Sequence, residues 1–144
     1  MRLAAFAVTS ALAAAAAGPL PPLPLGELLS PPPPPDRLTV SVERNGASRA
    51  ANGTYSLECD RVGGTHPEAR RACARLDEFA RAGRNPFDPA PRGETCTHQD
   101  GGPAVARITG TWQGEEVDAT FRRRNGCEIS RWRDLEPVLP SPRS

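Results

Sequence analysis

Four cysteines, Cys59, Cys73, Cys96 and Cys127, constrain this 144-residue chain more than any other feature. They follow an export-type leader, and an even number of cysteines in a small exported protein reads as a disulfide framework. Two bridges are therefore expected. Four cysteines allow three connectivities, and their number does not choose among them. Zinc is the competing use, but zinc ligands come in pairs a few residues apart, whereas these gaps are 14, 23 and 31. No metal and no cofactor is expected.

The leader is residues 1–17. Arg2 supplies the short positive region, Leu3 to Ala14 is apolar, and Ala15, Ala16 and Ala17 supply a small-residue cleavage site. The apolar run is short for a spanning helix and meets Pro19, Pro21 and Pro22. An extracellular protein without a membrane anchor is expected. Residues 18–36 then form a Pro-rich linker, with five prolines from Pro31 to Pro35 favouring extended backbone that cannot build a core. The folded domain is placed at residues 37–136, and residues 137–144 are read as a frayed, disordered tail.

Composition narrows the functions. Net charge is +1, which gives no electrostatic case for nucleic acid or a membrane surface. All 18 basic residues are arginine, which reads as GC-rich coding rather than as a phosphate site. There are 13 glycines and 17 prolines, so a modest core with long irregular stretches is expected.

Along the domain, Leu38, Val40 and Val42 alternate with polar residues as a half-buried strand, and so do Tyr55, Leu57 and Cys59. The two flank a polar loop bounded by Asn45-Gly46 and Asn52-Gly53, and antiparallel pairing is expected. Thr65 and Glu68 match a capping box, with Pro67 in a first turn. Ala69, Ala72, Cys73, Leu76, Phe79 and Ala80 then fall on one helical face, which Gly83 can end. Cys73 on that buried face can reach Cys59, and this local bridge is the preferred first pairing. Ala104, Ala106 and Ile108, a turn at Trp112-Gln113-Gly114, and Val117, Ala119 and Phe121 read as a hairpin. Cys127 follows Asn125-Gly126, within reach of Cys96 if the segments run antiparallel. Trp132 is assigned to the core. The class is α+β, a small antiparallel sheet packed by one main helix.

Few groups offer chemistry. His66 and His98 are the two histidines, and neither lies in a nucleophile motif, so no catalytic residue is assigned and a secreted enzyme is not expected. Arg122, Arg123 and Arg124 read as a solvated strand edge rather than a binding patch. The notable stretch is residues 94–103, one cysteine followed by small polar residues, two glycines and a proline. A bridged Cys96 makes it a displayed loop, where binding function usually sits.

Several motifs taken together resemble the Streptomyces subtilisin inhibitor family. They are Cys59 to Cys73 enclosing Gly64-Thr65-His66-Pro67, then Thr95-Cys96-Thr97, Gly110-Thr111-Trp112-Gln113-Gly114 and Asn125-Gly126-Cys127-Glu128. The similarity spans roughly residues 37 to 130. It implies a five-stranded antiparallel sheet with a main and a shorter helix, bridges Cys59–Cys73 and Cys96–Cys127, and a homodimer formed through the sheet. It also implies a secreted inhibitor of subtilisin-like serine proteases, with trypsin-like enzymes as a second target class. The reactive bond falls between His98 and Gln99 within a substrate-like loop, residues 95–103. Thr95, Cys96 and Thr97 lie along the protease cleft, Asp100 is on the leaving side, and Asn125 supports the loop. The loop is one residue longer than is usual in the family, with Gly101-Gly102 expected to add flexibility. The alternative is a non-inhibitory exported binding or surface protein on the same scaffold.

Overall fold

A computed structural model of the chain describes residue 18, residues 31–46 and residues 52–141. The expected leader, most of the Pro-rich linker and the last residues of the tail lie outside the described residues. The folded unit contains strands β1 (Arg37–Glu43), β2 (Gly53–Glu58), β3 (Gly63–Gly64), β4 (Val105–Trp112) and β5 (Glu115–Phe121). Helix α1 (Ala69–Arg81) follows β3, and helix α2 (Gly126–Asp134) follows β5. The strands form one antiparallel sheet in the order β3-β2-β1-β4-β5.

Alternation decides which face is buried, because successive strand side chains point to opposite sides. Leu38, Val40 and Val42 of β1 point inward, and register aligns Val40 with Ile108 and Val42 with Ala106 of β4. Ile108 in turn pairs with Ala119, and Ala106 with Phe121, so one apolar surface runs across three strands. Ala72, Cys73, Leu76 and Phe79 of α1 are buried in the same core, as the helical spacing predicted. Each large side chain so buried contributes about 1.5–3 kcal/mol relative to exposure. The β4–β5 turn is Gln113-Gly114, and both residues have positive φ, 51° and 77°. That is the two-residue turn whose twist matches antiparallel strands, and glycine takes its second position without strain.

Both bridges join as expected, Cys59 to Cys73 and Cys96 to Cys127. Two other expectations are corrected. Thr65 does not cap α1, which has Glu68 as its N-cap and no side-chain cap bond. The sheet claims Thr65 instead: its Oγ1 accepts the Ser56 N–H at 2.9 Å, and its own N–H bonds back to Ser56 O, because β3 pairs with β2 just before it. His66 serves the helix start, its Nδ1 accepting the Glu68 N–H at 3.1 Å. With Nδ1 an acceptor, Nε2 carries the proton and donates to Val138 O at 3.0 Å.

The frayed tail is corrected as well. Leu135, Val138 and Leu139 are at most 1% exposed, and the Trp132 indole N–H donates to Pro140 O at 3.0 Å. Val138 and Leu139 therefore belong to the core, and their segment is tied to it by bonds to His66 and Trp132. Prolines at 137 and 140 prevent regular structure there without preventing packing.

Candidate functional site

The segment from Pro91 to Pro103 carries no helix or strand. Thr95, Thr97, His98, Gln99 and Asp100 are all exposed, and Cys96 is half-buried. Apolar packing does not order these residues, so attachments elsewhere must. Upstream, Phe87 is buried edge-on against Trp112, with ring centroids 5.4 Å apart. Arg131 of α2 donates to Asp88 O at 2.9 Å and lies over the Phe121 ring at 4.7 Å. Burial lowers the Arg131 pKa from its ordinary value, with Glu128 opposing the shift.

The loop itself is fixed on both arms by one short stretch, Arg123 to Cys127. On the N-terminal arm, Cys96 is bonded to Cys127 with Cα atoms 5.4 Å apart, and Thr97 O accepts the Gly126 N–H at 3.0 Å. The approach is close. A Cβ on Gly126 would sit 2.1 Å from Thr97 Oγ1, so a side chain there would push the loop away. On the C-terminal arm, the Gly101 N–H donates to Arg123 O at 2.6 Å. A Cβ on Gly101 would meet Ile129 Cγ1 at 2.9 Å and Arg123 O at 3.0 Å. Gly101 is thus an anchor and not a flexible insertion, which corrects that expectation. The Asp100 carboxylate then accepts the Gly102 N–H at 2.9 Å, closing a local turn beyond the anchor.

The support is rigid for a local reason. Asn125 is the N-cap of α2, and its Oδ1 accepts the Glu128 N–H at 2.9 Å. Glu128 reaches back, its Oε2 accepting the Arg124 N–H at 2.8 Å. This reciprocal cap fixes the turn that presents the Arg123 carbonyl, the Gly126 N–H and the Cys127 sulfur together. Asn125 thus caps the helix, and the residue after it makes the contact with the loop. The chain reading missed α2 in the residues themselves, although Asn125 followed by Glu128 three positions on is a legible start signal. It also missed Arg123 and Gly126, whose roles depend on backbone atoms that carry no residue signature.

Between the anchors at Thr97 and Gly101 stand His98, Gln99 and Asp100, exposed on the crest. Near the base, the Glu94 carboxylate and the sulfurs of Cys96 and Cys127 lie within 4.8 Å of one another. Both sulfurs are spent in the disulfide, so this group offers no thiolate to a metal. The other histidine, His66, is buried with both ring nitrogens bonded.

Residues 98–100 are thus solvent-exposed on a braced base, and no nucleophile and base are paired beside them among the described residues. The subtilisin inhibitor-like family model matches residues 34–125, and the chain belongs to that family. Its members are inhibitors of proteases and not enzymes. Subtilisin inhibitor-like protein 1 of Streptomyces cacaoi is 31% identical over 103 residues, 67% of this chain and 89% of the relative. The subtilisin inhibitor of Streptomyces violaceus is 35% identical over 97 residues, 64% of this chain and 62% of that relative. The transglutaminase-activating metalloprotease inhibitor of Streptomyces mobaraensis is 32% identical over 96 residues, again 64% and 62%. The match thus spans less than two thirds of the last two relatives' length. Among the described residues, no helix is long and apolar enough to cross a membrane.

Proposed function

We propose that this protein is a secreted inhibitor of subtilisin-like serine proteases and that it binds the active site with residues 95–103 in the manner of a substrate. The observation that carries the reading is the exposed crest at 98–100 between two anchors on one capped turn. His98 enters the protease's primary pocket, and the scissile bond is His98–Gln99. Thr95, Cys96 and Thr97 pair with the protease cleft as an added strand. Asp100 lies on the leaving side.

The anchoring accounts for inhibition in place of turnover. A cut substrate leaves because its new ends diffuse apart. Here the new N-terminal half stays bonded to Cys127 and Gly126, and the C-terminal half stays on Arg123. The ends remain in register, and re-closure competes with hydrolysis. Prior ordering also removes much of the entropic penalty of binding, which raises affinity without adding contact area.

We also propose a homodimer through the open face of the sheet, which carries Thr39, Ser41, Thr54, Thr109 and the Arg107–Asp118 ion pair. That face is polar, so the dimer would rest on hydrogen bonds more than on apolar burial. Sedimentation across a concentration series checks it, and a monomer at all concentrations removes it.

The loop reading is tested by His98→Pro. His98 is exposed, so the change removes no core packing, and the melting temperature is read alongside to confirm an intact fold. Inhibition of subtilisin is expected to fall at least about a hundredfold, because proline blocks the extended pairing and fits the pocket poorly. Unchanged inhibition would move the binding site elsewhere. A metalloprotease is the control target, since one relative's name specifies that class.

A further inference from the structure

Three consecutive arginines follow β5, and the structure divides them. Arg123 turns inward: its guanidinium lies 5.9 Å from the Trp132 ring, and its Nε is buried without a hydrogen-bond partner among the described residues. Arg122 and Arg124 stay exposed. With Arg44 they line an open groove of about 430 Å³ whose wall on the loop side is Asp100, Gly102 and Pro103.

Sheet register explains why residues so distant in sequence meet. Glu43 at the end of β1 pairs with Val105 at the start of β4, and Phe121 at the end of β5 pairs with Ala106. Arg44 and Arg122 come just after those strand ends, beside the point where the loop's C-terminal arm enters β4. Next to Arg44, the Asn45 N–H donates to Asn52 Oδ1 at 2.8 Å. Among the described residues, none of the three guanidinium groups is in an ion pair. The groove's single carboxylate, Asp100, is turned onto the Gly102 N–H. Positive charge therefore predominates. The other flank of the loop is lined by Arg84, Glu94, Arg131, Arg133 and Asp134, which mix both signs.

We infer that the groove formed by Arg44, Arg122 and Arg124 is a specificity contact for acidic residues on the rim of the bound protease, on the side that receives the leaving half of the loop. The inference rests on the inhibitor reading above. Exposed rim charges add little to affinity, but they steer encounter and make the association rate depend on salt. The groove thus sorts proteases that share one primary pocket by how fast they are captured. It gives a use to an arginine run that reads, in sequence, as a solvated edge.

The test is stopped-flow association of the purified protein with a subtilisin-class protease whose leaving-side rim carries carboxylates. The same protease with those carboxylates changed to amides is the comparison. Against the acidic rim, the rate is expected to fall about tenfold between low and high salt. The double variant Arg122→Glu/Arg124→Glu is expected to lose about tenfold at low salt against the acidic rim and less than about twofold against the neutral one. Arg44→Glu, on a different strand end, is expected to repeat the pattern, which covers poor folding of the double variant. A salt-independent rate, or equal losses against both rims, overturns the groove and leaves the inhibitor reading standing. No inhibition of either protease by the parent protein overturns both.

Discussion

The two disulfides have nearly the same geometry and opposite settings. Both span 5.4 Å between Cα atoms. Cys59–Cys73 joins the end of β2 to a buried position of α1, two elements already held by Leu57, Leu76 and the rest of the core. Cys96–Cys127 joins irregular, exposed chain to the first turn of a helix. In the chain-entropy model the 14-residue bridge is worth about 3 kcal/mol and the 31-residue bridge slightly more, about 3.7 kcal/mol. Loop length alone therefore ranks them the wrong way for global stability. What separates them is the response to rupture. Without its bridge, the 94–100 segment can fray while the core stays folded, which limits the loss of global stability. The β2–α1 junction cannot fray without opening the core.

That contrast predicts a crossing of effects. The largest is expected for Cys96→Ser/Cys127→Ser. Cleavage of the loop by subtilisin, followed by mass spectrometry, should accelerate about a hundredfold or more, because one new end is free to leave. Its melting temperature should fall by only a few degrees. Cys59→Ser/Cys73→Ser should do the reverse. A loss of about 3 kcal/mol corresponds to a drop on the order of 10–20 °C by calorimetry, with inhibition retained below the transition. Equal melting losses and equal clipping in the two variants would break the comparison.

A smaller change sharpens it. Gly126→Ala keeps both bridges but places a methyl where Thr97 Oγ1 lies 2.1 Å away. Inhibition is expected to weaken about tenfold, with a melting shift of a few degrees at most, since alanine suits the first turn of a helix. The smallest effect lies on the open sheet face. Arg107 bonds both Asp118 carboxylate oxygens, at 2.7 and 2.9 Å, and this holds the Asp118 pKa below the usual carboxylate range. A lowered folded-state pKa contributes stability above the ordinary carboxylate value and loses it as pH falls through the lowered one. In the single chain the pair is fully exposed, so Asp118→Asn should barely move the neutral-pH melting temperature of the monomer. Its trace should be a slightly shallower loss of stability under acid.

The same division shows what a sequence reveals. The Cys59–Cys73 region was legible because its determinants are side-chain patterns: period two in β1 and β2, helical spacing from Ala69 to Ala80, and a cysteine on the buried face. The hairpin was legible through Gln113-Gly114. Beyond its disulfide and the helix cap, the support of the loop was not, because the rest is one carbonyl, one amide N–H and two missing side chains, at Arg123, Gly126 and Gly101. Glycine before a turn reads as flexibility, yet here it permits contact. The resemblance located the loop by its cysteine without showing what braces it. The packed end at Val138 and Leu139 was hidden for a related reason, since four apolar and proline residues without regular spacing give no periodic signal.

The central claim is that the braced loop is bound as a substrate and held as an inhibitor. Titration of active-site-calibrated subtilisin with the purified protein, with mass spectrometry of the recovered complex, tests it directly. Stoichiometric loss of protease activity with slow cleavage after His98 is the predicted result. Undiminished protease activity with rapid cutting anywhere between His98 and Gly102 would contradict it, and the two anchors would then be features of a fold that binds something else.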